Sequence, residues 1–148
     1  MFKHILVPTD GSGLSARAAK AAAELARVSN ARITAVHAVA PYYSPPSAEA
    51  AVLMPGLSQQ EYEAATEAHA QRMLRVVAAQ AEAAGVPCET LVLTSEHPWQ
   101  AIVDEASKKH CDLIAMASHG RRGLAGLLLG SETHKVLTHS KVPVFVLR

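Results

Sequence analysis

Small residues and a Gly-Ser step near the carboxyl end of the sequence could bind a phosphate group. Ala117 and Gly120 carry little or no side chain, so an anion could closely approach the backbone N–H groups there. Further on, Gly130 and Ser131 lie where a helix is expected to begin, which would place N–H groups and a hydroxyl at the positive end of its dipole. Together these residues are typical of an anion-binding loop.

Two alternatives remain open for this stretch. Arg121 and Arg122 could add positive charge for phosphates, but a pair of basic loop residues is more often simply solvated. The stretch GLAGLLLG (123–130) could instead form a small hydrophobic turn that packs against a neighbour. Glycines alone do not separate these interpretations.

A second candidate loop, VPTDGS (7–12), follows the first apolar run of the chain. Pro8 stiffens the chain, Asp10 offers an acceptor to a hydroxyl or an amine, and Gly11 permits a sharp turn. Any strand-to-helix turn prefers these residue types, so the loop alone does not distinguish a binding site from a plain turn.

Five apolar runs of strand length would position these loops. They are HILVP (4–8), RITAVHAV (32–39), CETLVLT (88–94), DLIAMA (112–117) and VPVFVL (142–147). Residues 5–7 and 113–116 are continuously apolar, which is typical of strands covered on both faces of a parallel sheet. The run 88–94 alternates more, as an outer strand would.

Four segments with helical periodicity separate these runs. The first carries the apolar stripe Leu14, Ala18, Ala21, Leu25 and Val28, and the second carries Tyr62, Ala65, His69, Met73 and Val76. Ser58 and Glu61 predict a capping box at the start of the second helix, Pro98 suits the first position of the third, and the fourth starts near Ser131. The alternation predicts one doubly wound α/β domain over 1–148, with helices on both faces of a five-stranded parallel sheet. Segment 40–57 is predicted to be a mobile surface loop.

Composition narrows the classes of partner. Lys and Arg number 14 and Asp and Glu 13, so no nucleic-acid footprint is indicated, and no apolar run approaches the length of a membrane span. Cys88 and Cys111 form no metal-ligand or redox pattern and are expected to be reduced core thiols. The expectation is a soluble cytoplasmic protein.

The chain resembles the universal stress protein family along its whole length. The resemblance rests on ILVPTDGS, AVHAV, DLIAMASHGRRGLAGLLLGS and KVPVFVLR. The ATP-binding branch of that family carries G-x-x-G, nine residues, then G-[ST]; here Ala117-Ser118-His119-Gly120 is followed by nine residues and then Gly130-Ser131. The spacing is met in full, with Ala117 in place of the first glycine.

The resemblance implies a strand order of 3-2-1-4-5, which would place the two loops side by side, and it implies ATP as the ligand. By position, Pro8, Thr9 and Asp10 would line the adenosine end, Ala38 and Met116 would contact the adenine, and Ala117 would lie beside the ligand. Gly120, Gly130 and Ser131 would hold ribose and phosphates, with the Glu132 N–H nearby. Alanine at 117 adds one methyl if only close approach matters, but costs about 1 kcal/mol if a positive φ is required.

No catalytic residue and no metal ligand is assigned. The sequence lacks the G-x-x-x-x-G-K-[ST] phosphate loop and the G-x-S-x-G nucleophile elbow, so at most slow ATP hydrolysis is expected. The eight histidines are scattered and do not suggest a zinc site. Mg²⁺ is left open as a companion of the phosphates, because the sequence shows no carboxylate cage.

The last strand predicts a protein contact. Its apolar residues would form an exposed edge of the sheet, where Pro143 fits because it lacks an N–H, so a homodimer through this strand is expected. A monomer whose edge is blunted by Pro143 and Arg148 is the alternative. Two functions remain: a nucleotide-dependent stress-response or signalling module, or a stress protein that no longer binds nucleotide and acts through protein contacts.

Overall fold

The computed structural model describes residues 1–53, 55–120 and 129–148. Arg121 and Arg122, predicted to approach phosphates, lie outside the described residues, as does most of the glycine-rich stretch that follows them.

Strands and helices alternate along the chain. The elements are β1 (His4–Pro8), α1 (Gly13–Ser29), β2 (Arg32–Val39), α2 (Ala48–Leu53), α3 (Gln59–Ala83), β3 (Cys88–Thr94), α4 (Pro98–Lys108), β4 (Leu113–Ala117), α5 (Ser131–His139) and β5 (Val144–Leu147). The five strands pair in parallel in the order β3-β2-β1-β4-β5, which confirms the predicted fold class and strand order.

The sheet is covered on both faces, and β1 shows how. Ile5 and Val7 pack into a cluster with residues of α1 and α3, whereas Leu6 packs into a second cluster with residues of α4 and α5. All three side chains are 0% exposed, so their continuous apolar run reflects burial on two sides.

The buried faces of α1 and α3 differ from the predicted stripes by about one residue. In α1 the alanines Ala18, Ala19, Ala22, Ala23 and Ala26 face the sheet. Val28 is 60% exposed, because the small alanines let the helix approach the strands closely and turn the larger side chains outward. In α3 the buried residues are Ala70, Leu74, Val77 and Ala81. The predicted stripe residues are only half-buried or exposed, apart from Ala18.

Segment 40–57 is not wholly irregular. It contains the six-residue helix α2, which the sequence analysis missed because none of its residues is buried and it therefore shows no apolar stripe. The capping box at Ser58 and Glu61 and the Pro98 start of α4 are both present as predicted.

Both cysteines are free thiols, and Cys111 is 4% exposed. Burial raises the pKa of the Cys111 thiol to about 11. Within the described ranges, no helix combines the length and hydropathy that crossing a bilayer requires.

Candidate functional site

The carboxyl ends of β1 and β4 form a switch point in the sheet. These strands are neighbours, yet the chain leaves β1 for α1 on one face and leaves β4 for α5 on the other. In open α/β sheets the crevice between two such diverging connections is the usual place for a ligand. The loop 7–12 and the described residues on either side of the second loop lie at this edge.

The loop after β1 is held by its own polar groups. Thr9 donates its N–H to the Val36 carbonyl at 2.9 Å, and the Asp10 Oδ1 accepts the Ser12 N–H at 3.0 Å. Gly11 has a φ of 76°, which a side chain would strain. Ser12 then caps α1 by accepting the Ser15 N–H at 3.1 Å. The loop therefore holds the Asp10 carboxylate in place beyond the strand.

Gly120 lies against the Asp10 carboxylate. A methyl group built at Gly120 would overlap Asp10 Oδ2, so only glycine fits without a shift of that carboxylate. The two loops, which stand far apart in the sequence, therefore meet at Asp10 and Gly120.

Gly130 brings the start of α5 close to the end of β4. Its N–H donates to the Ser118 carbonyl at 2.7 Å, and an added Cβ would lie 3.1 Å from His119 Cα. Thr133 Oγ1 also donates to the Ala117 carbonyl at 2.9 Å. The Gly130 N–H is therefore already hydrogen-bonded within the protein. The N–H groups of the next two residues, Ser131 and Glu132, lie in the first turn of the helix and have no intrahelical acceptor.

Ala117 sits in extended backbone as the last residue of β4, paired with Leu147. It is not among the residues with positive φ. The alanine therefore carries no conformational penalty at this position, and its methyl group is the whole difference from the glycine of the family motif.

The remaining predicted residues divide between the edge and the interior. Pro8 ends β1 and Ala38 is half-buried in β2, both near the carboxyl edge. Met116 is 6% exposed and packs into the core cluster of α4 and α5, so its side chain belongs to the protein interior.

His37 was expected from the sequence to pack or hydrogen-bond within its strand, and the structure identifies its partner. Its Nδ1 donates to the Thr9 carbonyl at 2.7 Å, which fixes the exit of the β1 loop to β2. The ring also meets the His69 ring of α3 edge-on, at 5.8 Å between centroids. The sequence signal was a histidine flanked by apolar residues on both sides in the strand, at 35–36 and 38–39.

The Glu132 carboxylate links two helices. Its Oε2 accepts the Trp99 N–H in the first turn of α4 at 2.9 Å, and its Oε1 lies 3.3 Å from Lys135 Nζ. His97 offers no side-chain cap to α4, so Glu132 takes over that role from the neighbouring helix. The Trp99 ring also packs against the His139 ring of α5, with 4.6 Å between the ring centroids.

Among the described residues, no group of three or more His, Cys, Asp or Glu is arranged to hold a metal ion. Any Mg²⁺ beside bound phosphates would therefore depend on the phosphate oxygens for much of its coordination.

Comparison with known proteins matches residues 1–148 to the Universal stress protein family. A universal stress protein of Methanocaldococcus jannaschii is 34% identical over 150 residues, which cover 100% of this chain and 83% of that protein. A solved universal stress protein in complex with cAMP is 27% identical with a TM-score of 0.73, over 99% of this chain and 97% of that chain. A second M. jannaschii protein has a TM-score of 0.80 at 24% identity, over 99% and 96% of the two chains, and shares the fold.

Proposed function

The chain belongs to the universal stress protein family, and from that premise we propose that it binds an adenine nucleotide, ATP, at the switch point between β1 and β4. The main support for the proposal is the contact between Asp10 and Gly120, because it brings the two loops together at one crevice. A family relative crystallised with cAMP supports an adenine nucleotide as the class of ligand.

Each part of the crevice suits a part of the nucleotide. The Asp10 carboxylate is a good acceptor for ribose hydroxyls, and the chain around Pro8, Thr9 and Ala38 offers close apolar and backbone contact to the adenosine end. Phosphates would take the start of α5, where Ser131 and Glu132 present N–H groups at the positive end of the helix dipole. Ala117 and Gly120 carry little or no side chain, so they leave room for the nucleotide between the adenosine end and the phosphates.

The conformation of Ala117 favours nucleotide binding over its loss. A position that demanded a positive φ would make alanine disruptive, but extended backbone accepts it readily. These features support our proposal that the chain belongs to the ATP-binding branch and has a nucleotide-dependent stress-response or signalling role, with no residue assigned to catalysis.

Calorimetric titration with ATP, with and without Mg²⁺, tests this proposal. Saturable heat is expected for ATP and a much weaker response for GTP, which carries the same phosphates on another base. A parallel titration with cAMP asks how much the extended phosphates contribute. Ligand at a hundred times its Kd should also stabilise the fold by about 2.7 kcal/mol. If millimolar ATP produced no binding heat and no thermal stabilisation, nucleotide binding would be rejected.

A second proposal concerns the edge strand β5, through which we expect a homodimer. β5 ends the sheet next to β4, and its Phe145 is 37% exposed. Leu137 of α5 is also exposed, at 42%. Unpaired edge strands with apolar side chains are normally covered by another chain.

Phe145→Lys should shift this dimer to monomer, because it places a charge in the apolar contact. Sedimentation equilibrium would measure the change, with Leu53→Lys as the control, since Leu53 is 73% exposed on α2 and far along the chain from this edge. A wild-type chain that sediments as a monomer at high micromolar concentration would contradict the dimer.

A further inference from the structure

A polar network occupies the amino edge of the sheet, at the opposite end of β1 from the proposed nucleotide site. At its centre is His4, which is only 4% exposed. Arg32 Nη2 lies 3.2 Å from His4 Nδ1, and His4 Nε2 lies 2.7 Å from Thr34 Oγ1. The chain of contacts continues from Thr34 Oγ1 to Glu89 Oε2 at 3.4 Å, and Lys109 Nζ contacts Glu89 Oε1 at 2.7 Å.

The direction of these hydrogen bonds fixes the protonation state of His4. A guanidinium can only donate, so His4 Nδ1 must be the acceptor of the Arg32 hydrogen bond. Nε2 then carries the proton and donates to the Thr34 hydroxyl, which in turn donates to Glu89. The hydrogen bond from Arg32 to Nδ1 requires a neutral His4 ring, whereas the Nε2–H can donate to Thr34 in either protonation state.

His4 also lies where three strands are joined. Asp112, just before β4, accepts the N–H groups of Lys3 and His4 at 2.8 and 3.0 Å, and its own N–H donates to the His4 carbonyl. The Arg32 N–H donates to the Lys3 carbonyl at 3.0 Å, at the start of β2. Loss of the Arg32 contact at the His4 ring would therefore act on the starts of β1 and β2.

We propose that this network is an acid-sensitive lock, in which a proton on His4 expels the Arg32 guanidinium and loosens the amino ends of β1 and β2. A protonated ring would present Nδ1–H to the donor Arg32, so a hydrogen bond becomes a contact between two donors of like charge. Arg32 is an exposed residue that lines a groove of about 450 Å³ together with His4 and Lys109 among others, so its guanidinium can move away from the ring while it stays in solvent.

The groups around His4 come from β2, β3 and the connection between α4 and β4, and they do not all act on its pKa in one direction. Burial lowers the pKa of His4 most, and Arg32 lowers it further. A backbone contact with Lys109 and the carboxylates of Asp112 and Glu89 act to raise the pKa, without reversing the shift. Because the unfolded chain binds this proton more tightly, the stability conferred by neutral His4 is present above about pH 6.5 and is lost as pH falls through the lower folded pKa.

The test compares two substitutions at Arg32 between pH 8 and pH 5. Urea unfolding measures stability, and nitrogen NMR spectra of the imidazole ring measure the tautomer and titration of His4. Wild type should show the Nε2–H tautomer of His4 at pH 8 and a several-fold rise in its unfolding constant on acidification. Arg32→Gln keeps a donor but removes the charge, so the titration midpoint of His4 should rise and the acid sensitivity should shrink. Arg32→Lys keeps the charge and should retain the low midpoint.

Two histidine variants complete the design. His4→Gln should flatten the pH profile, and His97→Gln, at an exposed histidine before α4, should leave it unchanged. An Nδ1–H tautomer at pH 8 would overturn the proposal, as would an identical His4 midpoint in both Arg32 variants. If His4→Gln does not fold, the wild-type spectra and the Arg32 pair still decide it.

Discussion

Gly130→Asp is expected to weaken ATP binding by at least about a hundredfold, which corresponds to about 2.8 kcal/mol. The new carboxylate would stand at the first turn of α5, where the phosphates are proposed to lie, and its Cβ would press on His119 Cα, 3.1 Å away. The chain should still fold, because Asp is among the residues preferred as a helix N-cap. Calorimetric titration beside the wild type measures the loss.

Two further variants separate the causes of this loss. Gly130→Ala introduces the crowding without the charge and should lose much less affinity than Gly130→Asp. Gly56→Asp adds the same charge at a glycine with open space around it, and should bind ATP as the wild type does. Wild-type affinity in Gly130→Asp would move the phosphates away from the start of α5.

Gly120→Ala is expected to destabilise the fold by up to about 1 kcal/mol, because its methyl group must displace the Asp10 carboxylate, which is the end of a side chain at a half-buried position. In an Asp10→Ala background the same substitution should cost much less, since the obstructing carboxylate is gone. The double-mutant cycle, measured by urea unfolding, should therefore show a coupling above about 0.5 kcal/mol.

Gly13 supplies the matched control for this cycle. An added Cβ at Gly13 meets nothing within 4 Å, so Gly13→Ala and Asp10→Ala should be additive to within about 0.5 kcal/mol. If Gly120→Ala and Asp10→Ala are equally additive, the two loops do not touch in solution, and the crevice that supports nucleotide binding is lost.

Strand assignments followed from the sequence because each strand is short, apolar and bounded by polar residues. The apolar run 5–7 could be interpreted as a doubly covered strand without any knowledge of its partners. The orientation of α1 could not be predicted in this way, because apolar residues surround much of the helix. Only close packing against the sheet determines that its alanines, rather than Leu25 and Val28, are buried. α2 has no buried residue and so leaves no pattern to detect.

For the candidate site, the spacing of glycines indicated which loops matter but not what each group does. The sequence analysis assigned the Gly130 N–H to a ligand, whereas the structure uses it to hold Ser118. The role of the Glu132 carboxylate and the contact of His37 with Thr9 depend on distances between separate elements, which residue types alone do not encode. The family resemblance supplied the adjacency of the loops, and the strand order confirms it.

The hydrogen bond between Glu132 and Trp99 couples the start of α5 to the fluorescent side chain of Trp99. Trp99 is the only tryptophan in the chain, and it is tied by its backbone to the second residue of α5 and stacked through its ring on His139 near the other end of that helix. A ligand that shifts the start of α5 must alter the surroundings of the indole. Nucleotide occupancy should therefore be visible in intrinsic fluorescence, without any label attached to the protein.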